Sequence, residues 1–516
     1  MAIRLAAVSL ALLGLPADAL RSKVQAQNLT LQGWMDSVLR SDSEDPRMEE
    51  LRQPGAREQH KKTKSQSQVD FCRVSAGESC PLSRMRPGRR SAVLPGGNTS
   101  CLNGDPFRFE VWPGDTKRVL IFFEGGGGCW DQKSADMGVC LQTVVPIFGA
   151  TMGFFNPCSQ GNVRNPFLDH TVIFVRYCSG DIHVGHADPG WTVVSLRQGG
   201  RHVKAVQRGY DNTRSAVDWA RANLPEELDS LVIAGSSAGS LAAQAWSPIV
   251  LRELRPKSAS VVMDSYVGVF PEGFEAQTLK EVGACELPFF DSGRLAPLRD
   301  ACRDGTISMR DAAAATMTDF PQVTFAHLTS KYDYVQRFFY DLIVRSRTMK
   351  KVAHEYCGDQ PDCDLSTVPA SLLEMQGISP DLFYHRANEI LASFSRFPNF
   401  HWYLIASNFH CWADVTFGDC GLLAGAPAGL PYFTAPRREN EQRWVSSLVP
   451  AAAQGEPVPA GGICEDLEFQ GLTGCDRSLE SSLFVPNGRS GTITPAPRLG
   501  GLLAALIAAM SAVSHH

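Results

Sequence analysis

Ser230-Leu231-Val232-Ile233-Ala234-Gly235-Ser236-Ser237-Ala238-Gly239-Ser240-Leu241-Ala242-Ala243-Gln244-Ala245-Trp246 is the stretch on which the fold turns. Its apolar opening, Leu231 to Ala234, reads as a buried strand. A tight turn follows at Gly235-Ser236-Ser237-Ala238-Gly239, then the helix-prone run Leu241 to Trp246. Strand, G-x-S-x-G and helix in that order form a nucleophile elbow. A serine hydroxyl is a poor nucleophile unless it is held exposed beside a base. The turn lifts Ser237 off the strand end, and Gly235 and Gly239 admit the close backbone approach this needs. The helix N-terminus places the N–H of Ala238 where an oxyanion would form. The plainer alternative is a strand, loop and helix joined by small residues.

Upstream, Arg118-Val119-Leu120-Ile121-Phe122-Phe123 is a near-continuous apolar run, as expected of a strand buried on both faces. Phe107–Trp112, Thr171–Tyr177, Ala259–Met263, Val323–Leu328 and Phe400–Ala406 read as further strands, with Phe400–Ala406 the last. Asp211 or Asn212 caps a helix that runs through Leu224 and stops at Pro225. Residues 270–320 are expected to form a helical insertion over the site. Strands separated by helical stretches predict an α/β fold with a mostly parallel central sheet and helices on both faces. With the elbow, the expected class is α/β-hydrolase-like.

The strand ending at Phe123 runs into Glu124-Gly125-Gly126-Gly127-Gly128-Cys129-Trp130. It lacks the G-K-[ST] of a phosphate loop, so the glycines read as the second half of an oxyanion hole, with Gly126 and Gly127 donating beside Ala238. A merely structural glycine loop is the alternative. Chain order then selects a triad. Ser237 is followed by Asp333 after one strand and His410 after another, the order Ser, Asp, His that such folds use. His410 would take and return the proton, and Asp333 would orient the imidazole. Asp264 also ends a strand and reads as a pocket-wall carboxylate. His354, His385 and His401 are set aside as structural, and His401 lies inside a strand pattern. Asp181, His183, His186 and Asp188 lie close enough in sequence to suggest a metal, but no further ligand at helical spacing appears. That segment reads as a surface loop at the pocket mouth, and neither metal nor cofactor is expected.

The chain has 516 residues, a net charge of −5 and 44% hydrophobic residues, enough for one large domain with a sizeable core. The slight acidity argues against nucleic acid as a partner. Fifteen cysteines point to an oxidising compartment. Near neighbours suggest local disulfides: Cys72 with Cys80, Cys129 with Cys140, Cys357 with Cys363, Cys411 with Cys420 and Cys464 with Cys475. Residues 1–19 read as a signal peptide, with Arg4, the apolar run Leu5 to Leu15 and an Ala17-Asp18-Ala19 cleavage site. Residues 20–71 are a polar leader or linker, and 72–486 the catalytic domain. The tail 487–516 has small residues Ser490-Gly491-Thr492, a spacer and an apolar run, as in a GPI-anchor signal that would attach the chain to a membrane. Asn28 and Asn98 open N-x-[ST] sequons.

Several blocks together resemble the pectin acetylesterase/Notum family of carboxylesterases. They are Phe123-Glu124-Gly125-Gly126 with Cys129, Tyr177-Cys178-Ser179 with Asp181, Ala234 to Gly239, Ser330 with Tyr332-Asp333 and Gln336, and Ser407 with His410-Cys411. The resemblance runs from about Cys101 to about Trp412. It implies an α/β-hydrolase-like fold, a Ser-Asp-His triad, no cofactor, and removal of acyl groups from oxygen. The acyl group is acetyl on pectin in the plant-like members and palmitoleoyl on Wnt in Notum. Two departures stand out. Ser407-Asn408-Phe409-His410 is one residue shorter than the family's usual S-C-F-A-H, and Gly127-Gly128 stand where Notum has bulky aromatics. The expected function is a secreted serine carboxylesterase acting on an acylated extracellular polysaccharide, with acetyl the expected group. An acylated protein as lipid-ester substrate, a catalytically inactive surface glycoprotein and a metallohydrolase using Asp181, His183 and His186 are the alternatives.

Overall fold

The computed structural model describes residues 70–144, 166–195, 197–357, 377–408, 410–412, 444, 447–448 and 461–464. The signal peptide, most of the leader, the Asn28 sequon and the C-terminal tail therefore lie outside the described residues. A ten-stranded sheet organises the rest, in the order β1-β2-β3-β5-β4-β8-β9-β10-β11-β12. Its strands are β1 (Asp70–Arg73), β2 (Ser91–Leu94), β3 (Phe109–Trp112), β4 (Asp115–Phe123), β5 (His170–Val175), β8 (Leu228–Ser236), β9 (Pro256–Asp264), β10 (Thr324–Ser330), β11 (Phe400–Ile405) and β12 (Gly461–Cys464). Within this sheet, among the described residues, only the two pairings that flank β3 are antiparallel. A separate hairpin joins β6 (Thr192–Ser195) to β7 (Arg201–Lys204).

The central strands are apolar on both faces because both faces are covered. Val119, Ile121 and Phe123 of β4, Leu231 and Ile233 of β8, and Val261 and Met263 of β9 belong to one core. Helices α2 (Gly209–Asn223), α3 (Ala238–Leu254), α6 (Met309–Asp319) and α8 (Pro380–Phe394) add Trp219, Trp246, Met317 and Phe383 to it. The alternate residues, Leu120, Phe122, Val232, Ala234 and Val262, face a second core with Phe167, Trp412, Trp444 and Leu448. Helices were expected on both faces. Among the described residues, the four helices named above pack on the first, and the second is covered by the four side chains just named.

The insertion between β9 and β10 is helical, as expected: α4 (Phe274–Glu281), short 3-10 turns, α5 (Leu298–Asp304) and α6. The Cys285–Cys302 disulfide ties it together. Two expected disulfides form, Cys72–Cys80 and Cys129–Cys140. Cys101–Cys178 and Cys285–Cys302 bridge 77 and 17 residues and were not foreseen from neighbour spacing. The other expected pairs involve side chains outside the described residues. Helix α2 starts at Gly209, earlier than the sequence suggested. Its first turn is satisfied by a distant carboxylate, Asp181 Oδ2, which accepts from Gly209 N at 2.8 Å. Asn212 turns instead to Ser100, accepting from its N–H and donating to its carbonyl at 2.9 and 2.8 Å. No helix among the described residues is long and apolar enough to cross a membrane.

Candidate active site

Sheet order decides where the candidate residues meet. β4, β8, β9, β10 and β11 are successive parallel neighbours, so their carboxyl ends share one edge. β5 leaves β4 on one side and β8 joins it on the other, the kind of switch point where open α/β sheets place ligands. The glycine loop leaves β4, Ser237 leaves β8, Asp264 ends β9, and Asp333 and His410 follow β10 and β11.

Ser237 has φ 54° and ψ −122°, a conformation that costs a non-glycine residue about 1–3 kcal/mol. Its N–H donates to the Asp264 carbonyl at 2.9 Å, and helix α3 begins at the next residue. The backbones of the elbow and the glycine loop touch. A Cβ on Gly239 would lie 2.0 Å from the Phe123 carbonyl oxygen, and one on Gly125 would lie 3.0 Å from Ser237 Cβ. Any side chain at either position would push the loop off Ser237.

Asp333 is fully buried and faces His410, with Oδ2 2.7 Å from Nδ1. An ionised carboxylate only accepts, so Nδ1 carries the hydrogen and Nε2 keeps its lone pair, the form a general base needs. Asp333 Oδ1 also accepts from Val335 N and Gln336 N at 2.9 and 3.0 Å, and Gln336 Nε2 donates to Oδ2 at 2.9 Å. Among the described residues, His410 Nε2 is buried and has no hydrogen-bond partner, so the structure joins Asp333 to His410 but forms no Ser237–His410 bond. Asp264 stays off the imidazole. Its Oδ1 accepts from Ser265 Oγ at 2.6 Å, and Ser265 Oγ accepts from Cys411 N at 2.8 Å. The elbow and the histidine loop thus hang on the same two residues, Asp264 and Ser265. His401 lies within β11, inside the sheet.

The loop after β4 is pinned by an isolated antiparallel bridge between Gly127 and Cys140. Leu141 N donates to Gly126 O at 2.9 Å and Gly128 N to Val139 O at 3.3 Å. Those bonds use the groups flanking Gly127 and leave its own N–H outside the bridge. Gly127 has φ 75°, natural for glycine and strained for other residues. Ala238 N is the first N–H of α3, among the donors a helix leaves unpaired.

The first part of the segment after β5 is buried, not the surface loop expected from sequence, with Ser179, Asp181 and His183 nearly inaccessible, whereas His186 and Asp188 are exposed as expected. Asp181 accepts from Ser179 Oγ, His183 N and Gly209 N at 2.6, 3.1 and 2.8 Å. Burial pushes its carboxyl up to about 6 despite these bonds. His183 Nε2 lies 2.9 Å from the Glu124 carbonyl, and His186 Nδ1 lies 2.7 Å from Asp211 Oδ2. Each residue of the suggested metal set has a partner of its own. Among the described residues, the only grouping at ligand spacing is Cys72, Glu78 and Cys80, whose cysteines form a disulfide.

Glu110 and Glu124 both grip the buried Arg176, through NH1 and Nε at 2.8 Å each. Glu124 Oε2 also accepts from Tyr177 N at 2.8 Å, while Oε1 has no partner among the described residues. Burial pushes both carboxyls up. For Glu124 it prevails over Arg176, whereas Arg176, Arg90 and Arg108 together hold Glu110 below the usual range. Neither Glu110 nor Arg176 was singled out from sequence, although a lone charge inside Phe109–Trp112 and another closing the apolar run Val172–Val175 were the available signal. A run of aromatic rings starts beside the glycine loop. Phe339 Cζ lies 3.2 Å from where a Gly127 Cβ would be. From there Trp130, Phe274, Phe270 and Tyr266 follow ring to ring, with centroids 5.2 to 6.5 Å apart.

Comparison with protein-family models and with curated proteins finds no match for this chain.

Proposed function

We propose that this chain is a secreted serine carboxylesterase of α/β-hydrolase-like fold, akin to the pectin acetylesterase/Notum family, that removes an acetyl group from an extracellular polysaccharide. The observation that carries the reading is the Asp333–His410 pair at 2.7 Å, on the same sheet edge as a strained Ser237 against which a glycine loop is pressed. Ser237 Oγ attacks the ester carbonyl as its proton passes to His410 Nε2. The N–H groups of Gly126, Gly127 and Ala238 receive the oxyanion; losing one such donor typically costs roughly 100- to 1000-fold. The C–O bond to the acceptor breaks, and His410 returns the proton to the leaving alcohol. Water then attacks the acyl-Ser237 ester, His410 takes its proton and gives it back to Ser237 Oγ, and the free acid leaves. Phe339, packed against Gly127, fits a short acyl group. Four disulfides and an exposed Asn98 sequon support an extracellular setting.

The ring-to-ring path from Phe339 to Tyr266 favours a second reading, in which the acyl group is a lipid chain on a protein. Hydrolysis of p-nitrophenyl acetate, butyrate and octanoate by the purified chain and by Ser237→Ala tests both. Activity that peaks at acetate and disappears in the variant is expected. A peak at octanoate selects the lipid reading. Equal activity in both proteins removes Ser237 from the mechanism, and equal inactivity favours a binding glycoprotein.

A further inference from the structure

Between the glycine loop and the nucleophile helix lies a histidine to which the mechanism assigns no step. His183 is reached through two residues of left-handed backbone, Ile182 at φ 53° and His183 itself at φ 64°, an unfavourable conformation for a β-branched residue. Asp181 holds the turn by accepting from His183 N, and it anchors helix α2 through Gly209 N. The outcome is a fixed imidazole, with ring centroids 5.4 Å from Phe123 and 4.7 Å from Tyr177. Its Nε2 faces the Glu124 carbonyl at 2.9 Å. A carbonyl only accepts, so Nε2 carries the hydrogen. Burial, which pulls the imidazole down to about 4, keeps it neutral at ordinary pH. On its other side, the His183 carbonyl accepts from Trp246 Nε1 at 2.9 Å.

Both bonds end on the oxyanion machinery. The Glu124 carbonyl belongs to the peptide that leads into Gly125, Gly126 and Gly127, so fixing it fixes the plane on which the loop starts. Trp246 lies on α3, the helix whose first N–H is that of Ala238. We propose that His183 is a positioning residue that spaces the two halves of the oxyanion hole, its ring N–H holding the glycine loop while its carbonyl is tied to the nucleophile helix. The inference rests on Ser237 being the nucleophile.

His183→Gln keeps an N–H donor near the position of Nε2, and His183→Phe keeps only the ring. Misplaced oxyanion donors slow the chemical step and leave ground-state binding intact, so the split between kcat and KM separates positioning from general damage. With p-nitrophenyl acetate, His183→Phe should lose roughly 10- to 100-fold in kcat with KM within about 3-fold, and His183→Gln should recover most of it. Full kcat in folded His183→Phe, or equal loss in folded His183→Gln, overturns the proposal. If His183→Phe does not fold, Trp246→Phe takes its place: a lower kcat at unchanged KM supports the role, and an unchanged kcat overturns it. Ser237→Ala is run alongside. Activity surviving in Ser237→Ala overturns the site reading and the proposal together, whereas loss there with full kcat in His183→Phe overturns the proposal alone.

Discussion

Asp264 ends β9 and Asp333 follows the neighbouring β10, and hydrogen bonds give the two different work. Asp333 Oδ2 takes the imidazole N–H at 2.7 Å, whereas Asp264 Oδ1 takes the Ser265 hydroxyl at 2.6 Å. Asp333→Asn would turn an acceptor into a donor and favour the wrong tautomer of His410. It should lower kcat for p-nitrophenyl acetate by roughly 1000- to 10,000-fold. Asp264→Asn, which reaches the histidine loop through Ser265 and the Cys411 N–H, should cost far less, and a larger loss there than in Asp333→Asn would reverse the assignment. Phe339 packs against Gly127, so Phe339→Ala should move preference from acetate towards octanoate. An unchanged chain-length profile would show that this ring does not bound the acyl site. Ser237, Asp333, His410, Gly126, Gly127 and Ala238 could be nominated from sequence because each follows a strand or opens a helix. Ser265 could not, since what matters is its contact with Cys411, 146 positions along the chain.

Elements with a continuous apolar run were found within a few residues. β4, β8, β9, β10 and β11 are buried on both faces and need apolar residues at every central position. β1, β2, β6, β7 and β12 escaped notice because four residues each are too short a stretch to show a clear period. β12 also corrects the expectation that the strand at Phe400 is the last. Buried charge is the costly part of this design. Arg176, just past β5, pairs with Glu110 on β3 and with Glu124 just past β4, the two strands that flank β5. Arg176→Met should destabilise the fold by about 3–5 kcal/mol, because it strips the buried Glu124 of its arginine and leaves the buried Glu110 to Arg90 and Arg108. Urea unfolding measures this, and adding Glu110→Gln and Glu124→Gln should restore part of the loss. An Arg176→Met protein as stable as the parent would contradict the structural role given to the triad.

Across the whole molecule, buried titratable groups pull stability in opposite directions with pH. Burial lowers His183 to about 4 and His327 to about 3 from 6.5, so below about 6.5 the unfolded chain takes up protons that the folded chain refuses. Each such group removes about 1.4 kcal/mol per pH unit as the pH falls through that window. Asp181 and Glu275 act the other way. Burial raises them to about 6 and about 7 from 3.8 and 4.5, so the folded chain takes up their protons first and gains stability as the pH drops to those ordinary values. His183 and His327 are offset by Asp181 and Glu275 between about pH 6 and 4.5, with His170, lowered by burial, adding to the histidines and Glu124 and Asp341, raised by burial, to the carboxylates. Below that Glu275 drops out and Asp181 persists only to about 3.8, while Glu110, held low by its arginine partners, joins the histidines. Urea midpoints should therefore stay nearly level from pH 7 to about 4.5 and then fall steeply. His327→Leu should soften the acid limb, and a steady decline starting at pH 7 would show that the carboxylates do not offset the histidines.

By itself the sequence determined the mostly parallel α/β sheet, the elbow at Ser237 and the chain order of the candidate triad. Each is written in local apolar runs and in glycines where only a bare backbone fits. Tertiary structure alone decided which strands are neighbours, and so which loops share an edge. It chose Asp333 over Asp264 for the imidazole, gave Asp181 to a helix start and His183 to a carbonyl, and paired Cys101 with Cys178 across 77 residues. The physical reason is common to all of these. A hydrogen bond or disulfide depends on distance in space, and residues far apart in the chain acquire that distance only once the sheet has set its order.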